Sequence, residues 1–100
     1  MKTMISEQDG KVTVSVQGEL DTDTSEKFQH DLDGLAERSG LAVEMDFEKL
    51  EYISSKAIRV LISFRQRILA QGGTLAVTHV QPAVKEIFVM TGLADSFGVS

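Results

Sequence analysis

Two kinds of hydrophobic repeat alternate along the chain, and this alternation limits the fold more than any other feature. Val12, Val14 and Val16 recur at every second position, as in a β-strand, and the same pattern returns over residues 41–47. Segments with helical spacing follow each of these two strands. Strands that are separated by helices become parallel through right-handed crossovers. The sequence therefore predicts an α/β domain with a mixed β-sheet.

The predicted order of elements is β-β-α-β-α-β-α, with about four to five strands in one domain over residues 1–100. Asp9-Gly10 is a typical two-residue hairpin turn, so the first strand is expected to be antiparallel to the second. Asp23 and Glu26 resemble a capping box at the start of the first helix. The second helix ends at Gly72-Gly73, and a third strand is predicted over residues 74–80.

The end of the chain contributes the last helix and a tail. Pro82 fits the first position of that helix, and Gly92 fits its end. The tail contains Phe97 and Val99, which we expect to pack back on the sheet. Three loops are then predicted to converge at the carboxyl ends of the strands, where partners usually meet such sheets: residues 18–23, 50–55 and 78–81.

One stretch carries most of the information about function. Residues 52–57 (Tyr-Ile-Ser-Ser-Lys-Ala) join a strand to a strongly amphipathic helix that continues to residue 71. Ser54 is predicted to cap this helix, because a serine oxygen accepts a hydrogen bond from an N–H group of the first turn. Ser55 then stands at the first helical position with its hydroxyl open to solvent or a partner. Arg59 lies on the polar side of the helix.

Composition disfavours several classes of function. The formal net charge is −5 and the pI is about 4.9, which argues against binding to nucleic acid or to an anionic membrane. The chain has no cysteine, so a disulfide framework and a thiolate site are excluded. No apolar run reaches the length of a membrane span, and the first residues lack the apolar core of a signal peptide. We expect a cytoplasmic location.

Patterns for catalysis are missing. His30 falls among polar residues of the first helix and is interpreted as a solvated side chain. His79 follows a strand at the predicted rim, where contact with a partner is the second interpretation. Ser55 lacks the Gly-x-Ser-x-Gly elbow and any evident base or orienting acid. The sequence therefore predicts a protein without enzymatic activity or a cofactor.

A magnesium site is the remaining chemical alternative. Asp21, Asp23 and Asp46 resemble the acidic cluster that receiver domains use beside a phosphoacceptor. However, Asp23 is better explained as a helix cap, and Asp46 lies inside a strand. No metal is predicted.

Three short motifs resemble those of STAS domains, the anti-sigma factor antagonist family. They are residues 52–61 (Tyr-Ile-Ser-Ser-Lys-Ala-Ile-Arg-Val-Leu), residues 18–21 (Gly-Glu-Leu-Asp) and residues 90–93 (Met-Thr-Gly-Leu). Their spacing and the order of elements match the family over nearly the whole chain. The resemblance implies helices packed mainly on one side of the sheet, and a bacterial switch protein rather than an enzyme.

The resemblance also implies a mechanism. The unphosphorylated protein would bind an anti-sigma factor that is also a serine kinase and so free a sigma factor. The kinase would phosphorylate the serine at the start of the second helix, and a phosphoserine phosphatase would reverse the modification. By position this serine is Ser55. Asp21, Ser54, Lys56 and Arg59 are expected to take part in partner binding.

The motif also departs from the family. Ser54 replaces the more common aspartate, Ala57 replaces glycine, and Lys56 replaces a small residue. Lys56 would pair with a phosphate on Ser55 or with an acidic neighbour such as Glu51. The alternatives are a STAS scaffold or ligand-binding module without phosphorylation, a small enzyme with a serine or acidic site, and two serines that only start a helix. The specific partner and the oligomeric state are left open.

Overall fold

The computed structural model describes residues 1–99. These residues form five strands and three helices in one sequence of elements. The bounds are β1 Lys2–Gln8, β2 Lys11–Leu20, α1 Thr24–Ala36, β3 Ala42–Asp46, β4 Leu50–Ile53, α2 Ser55–Ala70, β5 Thr74–Thr78 and α3 Pro82–Met90.

The strands form one mixed sheet, as predicted. β1 is antiparallel to β2 through Asp9-Gly10, whose φ angles of 53° and 82° are the positive values that a type I′ turn requires. β2, β3 and β5 are parallel, which gives the order β1-β2-β3-β5. Along β2 the valines are buried, whereas the residues between them are only partly buried. The helices therefore cover mainly one face of the sheet, as the resemblance implied.

One strand was missed by the sequence prediction. Residues 50–55 were predicted to be a loop, but Leu50–Ile53 form the short strand β4, which is parallel to the end of β2. Only Leu50 and Ile53 are buried in it, and this spacing of three hides the alternation that identifies a strand. A β-bulge between Gly18 and Glu19 adjusts the pairing. The extra strand leads the chain directly into the start of α2.

The last helix and the tail are fixed as the sequence predicts. Gly92 has a φ of 74°, and Leu93 N donates to Phe88 O at 2.9 Å, so the motif at residues 90–93 is the stop signal of α3. Phe97 is 1% exposed and its ring meets that of Phe88 edge-on at 5.6 Å. Val77 N donates to Phe97 O at 2.7 Å, so the tail also covers β5.

The two longer helices, α1 and α2, pack side by side on the sheet and run from the same rim. Arg67 of α2 reaches Asp33 of α1 at 3.1 Å. Along residues 1–99, no helix combines the length and the apolar character needed to cross a bilayer.

Candidate functional site

The start of α2 is held by Ser54, and the predicted cap is confirmed. Ser54 has extended backbone angles (φ −82°, ψ 163°), and its side chain accepts a hydrogen bond from Ala57 N at 3.1 Å. Its own N–H donates to Leu20 O at 2.7 Å. Ser54 is only 7% exposed. Both its backbone and its hydroxyl are therefore used inside the fold.

A second serine connects this cap to the start of α1. Ser25 is fully buried, donates from Oγ to Asp21 O at 2.5 Å, and lies with Oγ 3.4 Å from Ser54 Oγ. Because the Ser25 proton is directed to Asp21, the hydroxyl of Ser54 is left to donate to Ser25. A chain of buried hydrogen bonds thus ties the first turns of the two helices together.

The cap of α1 differs from the prediction. Asp23 already has helical backbone angles (φ −73°, ψ −40°) and its side chain makes no capping bond, so the predicted capping role is wrong. Asp21 takes that role instead. Thr24 N donates to Asp21 Oδ1 at 2.8 Å, and Asp21 N donates to Thr24 Oγ1 at 2.9 Å. This reciprocal pair has the logic of a capping box with aspartate and threonine as its members.

These bonds also lower the pKa of Asp21. The main cause is the hydrogen bond from the backbone N–H of Thr24, followed by the bond from the Thr24 hydroxyl, since both stabilise the charged carboxylate. Asp21 is thus held as an anion at the edge of the candidate site.

The structure places Ser55 at the first position of α2, exposed to solvent. Lys56 follows and points its ammonium group to Glu26 of α1 at 3.4 Å. The suggested partner Glu51 is therefore not the one observed, because the pair forms between the two helices rather than within the turn. Arg59 is exposed one turn after Ser55, on the same side of the helix.

Of the three predicted loops, two meet at this site. The bond between Ser54 N and Leu20 O joins residues 18–23 to residues 50–55. The third loop contacts the connection between β3 and β4 instead, where Gln81 Nε2 donates to Glu48 O at 2.7 Å. There His79 Nδ1 lies 3.2 Å from Asp46 Oδ1.

The residues of the suggested magnesium cluster are thus engaged separately. Asp21 caps α1, and Asp46 is the last residue of β3 and also accepts from Glu48 N at 3.1 Å. In the part of the chain that the structure describes, no group of three potential ligands lies close enough to hold a metal ion. His30 is exposed on α1.

The sequence interpretation missed three residues of the site. Thr24 and Ser25 were read as ordinary residues at the start of α1, although Asp-x-x-Thr before a helix is a recognisable variant of the capping signal. Tyr52 is 46% exposed beside the cap, which is unusual for the single tyrosine of the chain. An aromatic side chain at this position enlarges the surface that a partner protein would meet.

Comparison with known proteins decides the family. The STAS domain family matches residues 2–100. The chain belongs to the STAS domain family. BtrV of Bordetella bronchiseptica, a proposed anti-sigma factor antagonist, is 26% identical over 100 residues, which cover 100% of this chain and 86% of BtrV. The crystal structure of an anti-sigma factor antagonist from Mycobacterium paratuberculosis has a TM-score of 0.85 and 25% identity, and covers 96% of this chain and 81% of that one.

A third STAS structure shares the fold at lower identity. The Bacillus cell fate determinant SpoIIAA in its phosphorylated form has a TM-score of 0.72 and 16% identity, and covers 94% of this chain and 86% of SpoIIAA. The STAS fold of the present chain is therefore supported by sequence and by structure. Its candidate site lies at the start of α2, where the family signature was found.

The two serines should separate in a stability measurement. Ser54→Ala removes the cap and the bond to Ser25, so we expect the free energy of unfolding to fall by about 1–2 kcal/mol. Ser55→Ala should change it by less than about 0.5 kcal/mol, because Ser55 is exposed. Urea denaturation followed by circular dichroism measures both. Equal losses in the two variants would contradict the assigned roles.

The acid side of the stability profile should depend on Asp21. Because the folded-state pKa of Asp21 is lowered, its contribution to stability is present above the unfolded value, about 3.9, and is lost as the pH falls through the folded value. Asp21→Asn should therefore destabilise the protein at neutral pH, with a difference from wild type that shrinks below about pH 4. Asp23→Asn is the matched control and should be nearly neutral. A pH-independent effect of Asp21→Asn would refute the ionic role.

Proposed function

We propose that this STAS domain is a non-enzymatic partner-switching regulator that binds an anti-sigma factor with serine kinase activity. In this proposal the kinase phosphorylates Ser55, a phosphoserine phosphatase restores the hydroxyl, and both reactions take place in the cytoplasm. The likeness to BtrV and to the antagonist from Mycobacterium paratuberculosis supports the class of partner.

The observation that carries the proposal is the division of roles between Ser54 and Ser55. Ser54 is buried and its hydroxyl caps α2, whereas Ser55 is exposed at the next position. A kinase can therefore reach the Ser55 hydroxyl without opening the helix. A phosphate at the first turn is also compatible with the helix, because the free N–H groups there favour negative charge.

The charge around Ser55 explains how a phosphate would change binding. Carboxylates from β2, the β2–α1 connection, α1 and β4 surround the site, and Lys56 and Arg59 lie on α2 itself. A phosphoserine adds about −1.5 to −2 charges to this mainly acidic rim. A partner shaped for the neutral hydroxyl would then meet like-charge repulsion and a desolvation cost, while the fold stays the same. The acidic residues are Glu19, Asp21, Asp23, Glu26 and Glu51.

The second candidate is a STAS scaffold or ligand-binding module that is not phosphorylated. Lys56 favours it, because this residue departs from the family motif and its ammonium group is already paired with Glu26. A kinase that expects a small residue after the phosphoacceptor would meet a long cation instead. The two candidates differ in one respect that an experiment can measure, namely whether charge at position 55 controls binding.

Charge at position 55 should control partner binding. The anti-sigma factor would be captured from a lysate of the source organism with the wild-type domain, purified, and titrated by calorimetry. Ser55→Asp should weaken binding more than about a hundredfold, which corresponds to a penalty of about 3 kcal/mol. Its circular dichroism spectrum should match that of wild type.

Two controls make this test specific. Ser55→Asn is neutral and of similar size, so it should bind within about tenfold of wild type. Ser63→Asp places the same charge two turns along α2, on an exposed position, and should also retain binding. Equal affinity of Ser55→Asp and wild type would contradict phosphoserine control and favour the scaffold.

A further inference from the structure

Lys56 connects the exposed serine to the neighbouring helix. Its ammonium group lies 3.4 Å from Glu26 Oε1, and the side chains of Lys56 and Glu26 remain 38% and 81% exposed. An ion pair this exposed is weak, because water screens it and two long side chains must be held in place. Lys56 is therefore free to exchange Glu26 for a stronger anion nearby.

A phosphate on Ser55 would be such an anion. It carries up to two charges and three acceptor oxygens, whereas Glu26 offers one charge. Side chains of a helix lean toward its first residue, so the long Lys56 side chain extends past the start of α2, toward the side chain of Ser55. Both anions are thus within reach of the same ammonium group.

We propose that Lys56 is the positioning residue of the Ser55 switch: on phosphorylation it leaves Glu26 and pairs with the phosphate. The inference rests on the proposed phosphorylation of Ser55. The exchange leaves Glu26 unpaired on α1, so one modification changes the charge presented by both helices. A partner that covers α1 and α2 then meets two altered positions instead of one.

Other charged groups surround the phosphate and must be separated from Lys56. Arg59 lies one turn further along α2. Carboxylates come from β2 (Glu19), from the β2–α1 connection (Asp21 and Asp23), from α1 (Glu26) and from β4 (Glu51). All of them act on the phosphate through space, but only Lys56 is shared with Glu26 in the structure. The coupling between these two residues is therefore the signature of the exchange.

The test uses the full chain with phosphoserine incorporated at position 55 during translation, so it needs neither the kinase nor the partner. The pH midpoint of the second phosphate ionisation, about 6 in a free phosphoserine, is followed by ³¹P NMR. Lys56→Gln should raise this midpoint by about 0.2–0.7 pH unit, the size of an exposed ion pair. Lys27→Gln, a lysine of α1 that pairs with Asp31, is the control and should leave it within about 0.1 unit.

Glu26→Gln completes the cycle. With Lys56 present, it should lower the phosphate midpoint, because Lys56 no longer has a competing carboxylate. In the Lys56→Gln protein the same change should have a clearly smaller effect, which measures the coupling of the two residues. Additive shifts would overturn the proposal, and so would an unchanged midpoint in Lys56→Gln. A shift in Arg59→Gln alone would show that the phosphate is held one turn further on.

A second measurement covers the case in which the phosphorylated chain does not fold. The carboxyl group of Glu26 is titrated by ¹³C NMR in Ser55→Asp and Ser55→Asn. Its midpoint should be higher in Ser55→Asp, and this difference should shrink when Lys56→Gln is added. A difference of the same size with and without Lys56 would overturn the proposal. Loss of this effect leaves the partner-binding test of Ser55→Asp unaffected, so the two proposals fail separately.

Discussion

The structure around the candidate site depends on the hydrogen bond from Ala57 N to Ser54 Oγ. Without it, the first turn of α2 would have to use another acceptor, and the neighbouring Ser55 hydroxyl is the nearest one. With it, the cap is complete, and the chain of bonds through Ser25 to Asp21 fixes α2 against α1. Ser55 is left exposed with no structural duty. A rigid, buried serine therefore makes its exposed neighbour available.

This arrangement explains how a regulator of 100 residues can change its surface without changing its fold. The bonds that define both helix starts are buried or lie in the backbone, so a charge added to Ser55 disturbs none of them. The energy of the switch then lies in the interface with the partner, where like charges are costly. Lys56 adds a connection to α1 that is weak enough to be rearranged.

Much of this could be predicted from the sequence, because the informative signals are local. The alternating valines of β2, the Asp9-Gly10 turn and the Ser54 cap depend on residues close together in the chain, and the structure confirms each of them. β4 escaped prediction because only its two ends are buried. The Lys56–Glu26 pair escaped because it joins residues that are distant in sequence and meet only when α1 and α2 pack. The cap at Asp21 was missed because Asp23 and Glu26 offered a more familiar pattern.

The most direct test of the account is to locate the phosphoryl group. The folded domain would be incubated with ATP and a lysate of its own organism, digested, and mapped by tandem mass spectrometry. The account predicts one phosphoryl group on Ser55, none on the buried Ser54, and no modification of Ser55→Ala. A phosphoryl group on Ser54 of the folded protein, or a wild-type chain that stays unmodified while the lysate phosphorylates other proteins, would contradict it.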